Sequence, residues 1–319
     1  MKNVHSNYVP AQLEKHLQFI DFNSSGDFVV GCSSLNTRYW TGSLWHYRSG
    51  TAASDVVNPA KCVTGVDLDT GVLEGRFVRD NQIVLGLDSG GVMLVTLTHD
   101  QEADKVTSYL EPGVHAVEHD DMMTGLDTWS QDGSLATVGL DNKLCVYSPT
   151  LALLHSYSPV HCGHVSSVSC DQTRGNVLAT CSRNSDTCVR VWDTRQAKPA
   201  STVHRSADHP PSSVHWCGAD TLLVGEVTGD VSLVDLRTRD HVTRVSVGDR
   251  PVYRLRSRGE KVAVAQDDAV VSVLQVSSSG LETLITSSKH TDYVRGLAWS
   301  GEECVWSVGW DKTVQTHSV

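Results

Sequence analysis

The feature that most limits what this chain can become is a sevenfold recurrence of short apolar runs. DFVVGC (27–32), QIVLGL (82–87), SLATVGL (134–140), NVLATCS (176–182), TLLVGEV (221–227), KVAVAQ (261–266) and CVWSVGW (304–310) are set off by Gly, Asp, Asn and Ser. Each precedes a turn and a second run, such as GVMLVTL, CVRVWD or DVSLVDL, and follows a third, such as LQFIDF, HVSSVSC or YVRGLAW. Short runs rich in Val, Leu, Ile and Thr between turn-forming residues read as strands, and no convincing amphipathic helix competes with them. Seven triplets in 319 residues give a period of about 46.

A unit of that size makes a small four-stranded sheet that cannot bury its faces alone. Stacking buries them, and closing the stack into a ring removes its two open ends. The expected fold is all-β: one seven-bladed β-propeller domain spanning residues 1–319. The last unit stops after its third run at Val319, so its outer strand is expected from residues 1–12, tying the ends together.

Composition narrows the function. No stretch approaches 18 consecutive apolar residues, as a membrane-spanning helix requires. The opening MKNVHSNYVPAQLEKHL lacks the apolar centre of a secretory signal. Nine cysteines without a C-x-x-C pair read as reduced thiols, which points to the cytoplasm and nucleus and strips the Asn23-Ser24-Ser25 sequon of meaning. A net charge of −11 disfavours nucleic acid and anionic membranes and favours basic proteins. Acidic clusters at Asp100, Glu102 and Asp104, at Glu118, Asp120 and Asp121, and at Asp267-Asp268 read as solvated loops or as docking points for basic tails.

The fourth unit, GHVSSVSC…NVLATCSRNSDTCVRVWDTR, looks like a WD repeat. His164, Thr180, Asp186 and Trp192 are expected to form its hydrogen-bonded tetrad. The third unit offers His119, Thr137, Asp141 and Tyr147, and the seventh offers His290, Ser307, Asp311 and His317. In all three the Asp lies six residues before the aromatic or imidazole position. Blades one, two, five and six lack the set.

His, Thr or Ser and Asp together also suggest a hydrolase triad. Recurrence in several repeats with an aromatic partner points instead to a buried scaffold, because a hydrolase needs a single exposed nucleophile beside an oxyanion hole. Asp88-Ser89-Gly90-Gly91 resembles a protease nucleophile segment but sits in an expected hairpin turn. His161-Cys162-Gly163-His164 lacks a second ligand pair for structural zinc. No phosphate-binding glycine loop follows a strand. The expectation is therefore a protein with no catalytic residue, metal or cofactor.

One segment is not generic. In GCSSLNTRYWTGSLWHYR (31–48) the turn between the second and third runs of blade one is lengthened and carries Arg38, Tyr39 and Trp40 near its tip. A Trp there either folds back on its own blade or enters a partner. Arg beside aromatics is the composition of interface hot spots, where a buried Trp contributes roughly 2–4 kcal/mol.

This run, with DSGGVMLVTL, EHDDMMTGL, VRVWDTRQAKPAS, TGDVSLVDLRTR and HTDYVRGLAWS…SVGWDKTVQTHSV, resembles the methylosome protein 50 family, the WD-repeat subunits of the methylosome. The resemblance covers all but the first dozen residues and a few loops. It implies a non-catalytic adaptor that binds the N-terminal TIM-barrel domain of the type II protein arginine methyltransferase, which makes symmetric dimethylarginine. The implied complex is a hetero-octamer of four copies of each subunit. The residue aligned with Trp40 enters a pocket on that barrel with Arg38 nearby, and Tyr293 matches a second enzyme-facing aromatic. Histone tails and spliceosomal Sm proteins are the implied substrates. The shorter N-terminus, the absence of a tail beyond blade seven and Tyr39 beside Trp40 depart from the family. A WD-repeat scaffold for another assembly, such as a ubiquitin ligase or a histone-modifying complex, is the rival reading.

Overall fold

Seven antiparallel sheets stand around an axis in chain order in the computed structural model of the chain. The residues it describes are 8–10, 12–36, 39–102, 105–183, 186–196, 198, 201–238, 240–277 and 280–319. Blade one comprises His16–Phe22, Phe28–Asn36, Tyr39–Tyr47 and Thr64–Leu68, and blade four Ser167–Cys170, Val177–Ser182, Cys188–Asp193 and Ser201–Arg205. Each of the seven apolar runs forms the second strand of its blade.

The core lies between blades. At the ring seam Leu17, Ile20, Phe28, Trp45 and Tyr47 of blade one pack with Ala298, Val308 and Val314 of blade seven. The backbones nearly touch there. A Cβ built on Gly296 falls 2.8 Å from the Phe19 Cα and 3.0 Å from the Ile20 N, so only glycine allows this approach.

Blade seven shows three described strands, Val294–Trp299, Cys304–Gly309 and Val314–Ser318. The expected outer strand from residues 1–12 is not formed by residues 8–10, which run along the fourth strand of blade one. The Gly65 N–H donates to the Tyr8 carbonyl at 2.7 Å, and the Tyr8 hydroxyl meets Asp67. Residues 1–7 and 11 lie outside the described residues. The connection between the third and fourth strands of blade one approaches the edge of the last strand, with an open cavity between residues 52–57 and 314–316. Its short 3-10 turns span Ala53–Asp55 and Pro59–Lys61, and Ala53 packs into the seam cluster with Val314. Lys289 Nζ donates to the Thr316 carbonyl at 2.6 Å on that strand. A lysine on such an edge blunts its recruitment of a foreign strand.

Candidate functional site

The tetrads occupy one end of the blades, where the chain enters each inner strand and where the second strand turns into the third. In blade three His119 Nε2 lies 2.8 Å from Thr137 Oγ1, and its Nδ1 lies 3.0 Å from Asp141. In blade seven His290 Nε2 lies 2.7 Å from Ser307 Oγ and Nδ1 2.9 Å from Asp311, while Ser307 Oγ meets His317 Nε2 at 2.8 Å. Tyr147 is buried at the aromatic position of blade three.

Blade four corrects one assignment. His161, not His164, joins Thr180 (2.9 Å) and Asp186 (3.2 Å), and Trp192 Nε1 donates to Thr180 Oγ1 at 2.9 Å. His164 is exposed and meets only the Leu140 carbonyl, at 2.7 Å. The cause is the neighbouring blade: Asn142 in the turn of blade three accepts the His161 N–H at 2.9 Å and its amide meets the His161 carbonyl, fixing that residue at the blade junction. Separation from the Thr or Ser carries the signal. It is 18 residues in blade three, 19 for His161 and 17 in blade seven, whereas the Gly-His pair that drew attention to His164 sits too close to Thr180.

These networks are structural and pH-sensitive. Burial lowers the pKa of His161 and His290, and lowers those of His46, His215 and His317 to about 4. Burial opposes ionisation of Asp186, but hydrogen bonds from Cys188, the Cys162 N–H and His161 outweigh it and hold the carboxyl below its usual range. Because the folded histidines resist protonation, the unfolded chain takes up protons first. The histidine contribution is full above about pH 6.5 and falls toward pH 4, by roughly 1.4 kcal/mol per pH unit for each of His46, His215 and His317. Glu14, Asp21, Asp127 and Asp268, pushed up by burial, oppose the loss at the lower end. Melting temperatures between pH 7.5 and 5 are expected to fall once the pH drops below about 6.5; a flat profile contradicts the assignment.

The same end of the ring carries a strip of aromatic rings. Trp40 is 37% exposed, and its ring lies 5.9 Å from that of His16. His16 lies 4.7 Å from Trp310, which meets Tyr293 edge-on at 5.5 Å. Arg295 continues the strip, 4.8 Å from Trp310 and from Tyr293 and 4.2 Å from Tyr253, with its guanidinium donating to Asp267 at 2.7 Å. Tyr293 and Tyr253 are 41% and 36% exposed. Burial lowers the pKa of His16, which keeps its ring neutral between the indoles. Trp40 thus leans on His16 of its own blade while about a third of its surface stays exposed. Tyr39 begins the third strand of blade one, and Arg38 lies outside the described residues.

Sequence reasoning missed His16, Tyr253, Trp310 and Arg295. Trp310 had a readable signal, since a bulky aromatic directly before a tetrad Asp has no structural task in the turn. Tyr253 had none: it belongs to blade six and reaches the strip only through the ring.

The WD domain, G-beta repeat family matches residues 153–193, across the third and fourth blades. Solved structures share the fold. A chain of a mitotic checkpoint complex superposes with a TM-score of 0.73 at 18% identity, covering 95% of this chain and 89% of that one. A chain of the COPII coat gives 0.76 at 15% identity, covering 96% and 47%. The F-box/WD repeat-containing protein sel-10 of Caenorhabditis elegans is 34% identical over 110 residues, 32% of this chain and 18% of that protein. Methylosome protein WDR77 of Xenopus laevis is 28% identical over 319 residues, covering 97% of this chain and 91% of its own. The chain is accordingly a seven-bladed β-propeller with a WD-type repeat at residues 153–193, similar along almost its whole length to a methylosome protein.

Proposed function

We propose that this propeller is a non-catalytic adaptor that holds a type II protein arginine methyltransferase and presents basic substrates, such as histone tails and Sm proteins, to it. The observation that carries the reading is a single exposed strip, Trp40 to Tyr253, on a chain similar to a methylosome protein over 97% of its length. Trp40 anchors the enzyme. Tyr293 widens the contact, and Arg295, pinned by Asp267, stiffens it. Rigid rings lose little entropy on binding, which suits them to a hot spot. The net charge of −11 draws basic substrates toward the assembly. The working compartments are the cytoplasm and nucleus.

Mixing the purified chain with the methyltransferase and measuring mass by size-exclusion chromatography with light scattering tests the reading. Co-elution at the mass of four copies of each subunit is expected, and separate elution refutes it. The local likeness to an F-box/WD repeat protein favours a second reading, a scaffold for a ubiquitin ligase. Recovery of ligase subunits instead of a methyltransferase on co-purification decides for it.

A further inference from the structure

We propose that blade five carries a site for a divalent transition-metal ion of the zinc class, formed by His209, Glu226 and Asp230. Blade five has lost the tetrad, and its register shows what replaced it. The Val227 N–H donates to the Pro210 carbonyl at 2.8 Å, as Leu140 does to Met122 and Trp310 to Tyr293 at 2.9 Å. Thr228 therefore stands where blades three and seven have their tetrad Asp. Glu226 stands where they have Gly139 and Gly309, so it brings a carboxylate to a position that is bare in those two blades.

The Glu226 carboxylate is fully buried, and its two oxygens differ. Oε1 accepts from Ser232 Oγ at 2.6 Å and faces Arg244 Nη2 at 3.2 Å. Oε2 is buried and accepts no hydrogen bond. It points toward His209 Nδ1, 3.1 Å away, and Asp230 Oδ2 lies 3.4 Å from the same nitrogen. All three atoms lie within 4.8 Å of one another. Thr228 donates to Asp230 Oδ2 at 2.9 Å and lies 3.3 Å from His209 Nδ1, and the His209 N–H is held by Ser206 Oγ at 3.0 Å.

A tetrahedral ion with bonds of about 2.0–2.1 Å spaces its ligand atoms about 3.3–3.4 Å apart, close to the separations seen. One imidazole nitrogen with two carboxylate oxygens suits zinc-class ions, whereas calcium and magnesium take all-oxygen sets. His209 is half-buried, so an ion enters from solvent and water completes its shell. Ser232 and Arg244 act as the supporting layer. They hold Oε1 and so aim Oε2 inward, and the guanidinium offsets one of the two negative charges. Among the described residues the other grouping of this kind, His161, Asp186 and Cys188, is wholly buried within the blade-four tetrad, its atoms engaged with one another and with Thr180 and Arg190.

The test uses the full chain stripped with a chelator, titrated with Zn2+ by calorimetry and with Co2+ by visible absorption. One equivalent is expected, with the intense cobalt bands of four-coordination. His209→Ala and Asp230→Asn should each weaken uptake about tenfold or more, and His164→Ala should not. The site is refuted if neither ion binds at sub-millimolar concentration. It is equally refuted if uptake persists unchanged in both variants, which places the ion elsewhere. Asp230→Asn leaves the buried Glu226 and Arg244 pair intact, so a folding failure of His209→Ala does not obscure the result.

Discussion

Trp40→Ala is expected to weaken binding of the arginine methyltransferase by tenfold or more while leaving the melting temperature of the isolated propeller nearly unchanged. The two halves of that expectation have different origins. In the free protein the indole is 37% exposed and packs beside His16, so its removal leaves a notch open to solvent rather than a closed cavity. In a complex the same ring loses its water. Truncating such an anchor costs roughly 2–4 kcal/mol, and each 1.4 kcal/mol is about tenfold in affinity. Tyr293→Ala, at the far side of Trp310, should cost less, because Trp310 and Arg295 keep the surface in place. A titration by calorimetry or interferometry measures both. Unchanged affinity for Trp40→Ala rejects the anchor, and a large drop in melting temperature shows instead that the ring props up its own blade.

The second large effect separates two histidines three residues apart. His161→Ala is expected to lower stability by about 2–4 kcal/mol, and His164→Ala by less than about 1 kcal/mol. His161 is buried with both ring nitrogens engaged. Its loss leaves Asp186 and Thr180 short of partners in a space that water does not reach. His164 gives up one exposed hydrogen bond to the Leu140 carbonyl. Urea denaturation of both variants measures the difference. Equal losses, or a larger loss for His164→Ala, overturn the assignment of the blade-four network.

The sequence carried the ring and most of its internal punctuation because both repeat. Strands of six or seven residues in triplets leave a periodic trace, and Asp141, Asp186 and Asp311 keep a constant offset from the residue that closes each tetrad. The histidine is less constrained. It sits on the loop between blades, whose length varies, so a Gly-His pair attracted the assignment to His164 while packing selected His161. Ring closure is read only in part, because of the segment that was to supply it only residues 8–10 and 12 are described, and there Tyr8 pairs with Gly65 of blade one. Trp40 stood out as a bulky residue with nothing local to bury it. Its companions Tyr253 and Arg295 lie more than 200 residues away in sequence, and only closure of the circle brings them alongside. The carboxylates of blade five repeat nowhere else, so no period announced them.

The aromatic strip crosses the place where the circle is sealed. Trp40 and His16 belong to the first sector, Trp310, Tyr293 and Arg295 to the last, and Tyr253 to the one before it. A molecule gripping this strip therefore acts as a clasp across the two ends of the polypeptide. It has no comparable foothold on an opened form, so occupancy and integrity of the circle rise and fall together by mass action. Any molecule bound across this strip would thus also hold the circle shut.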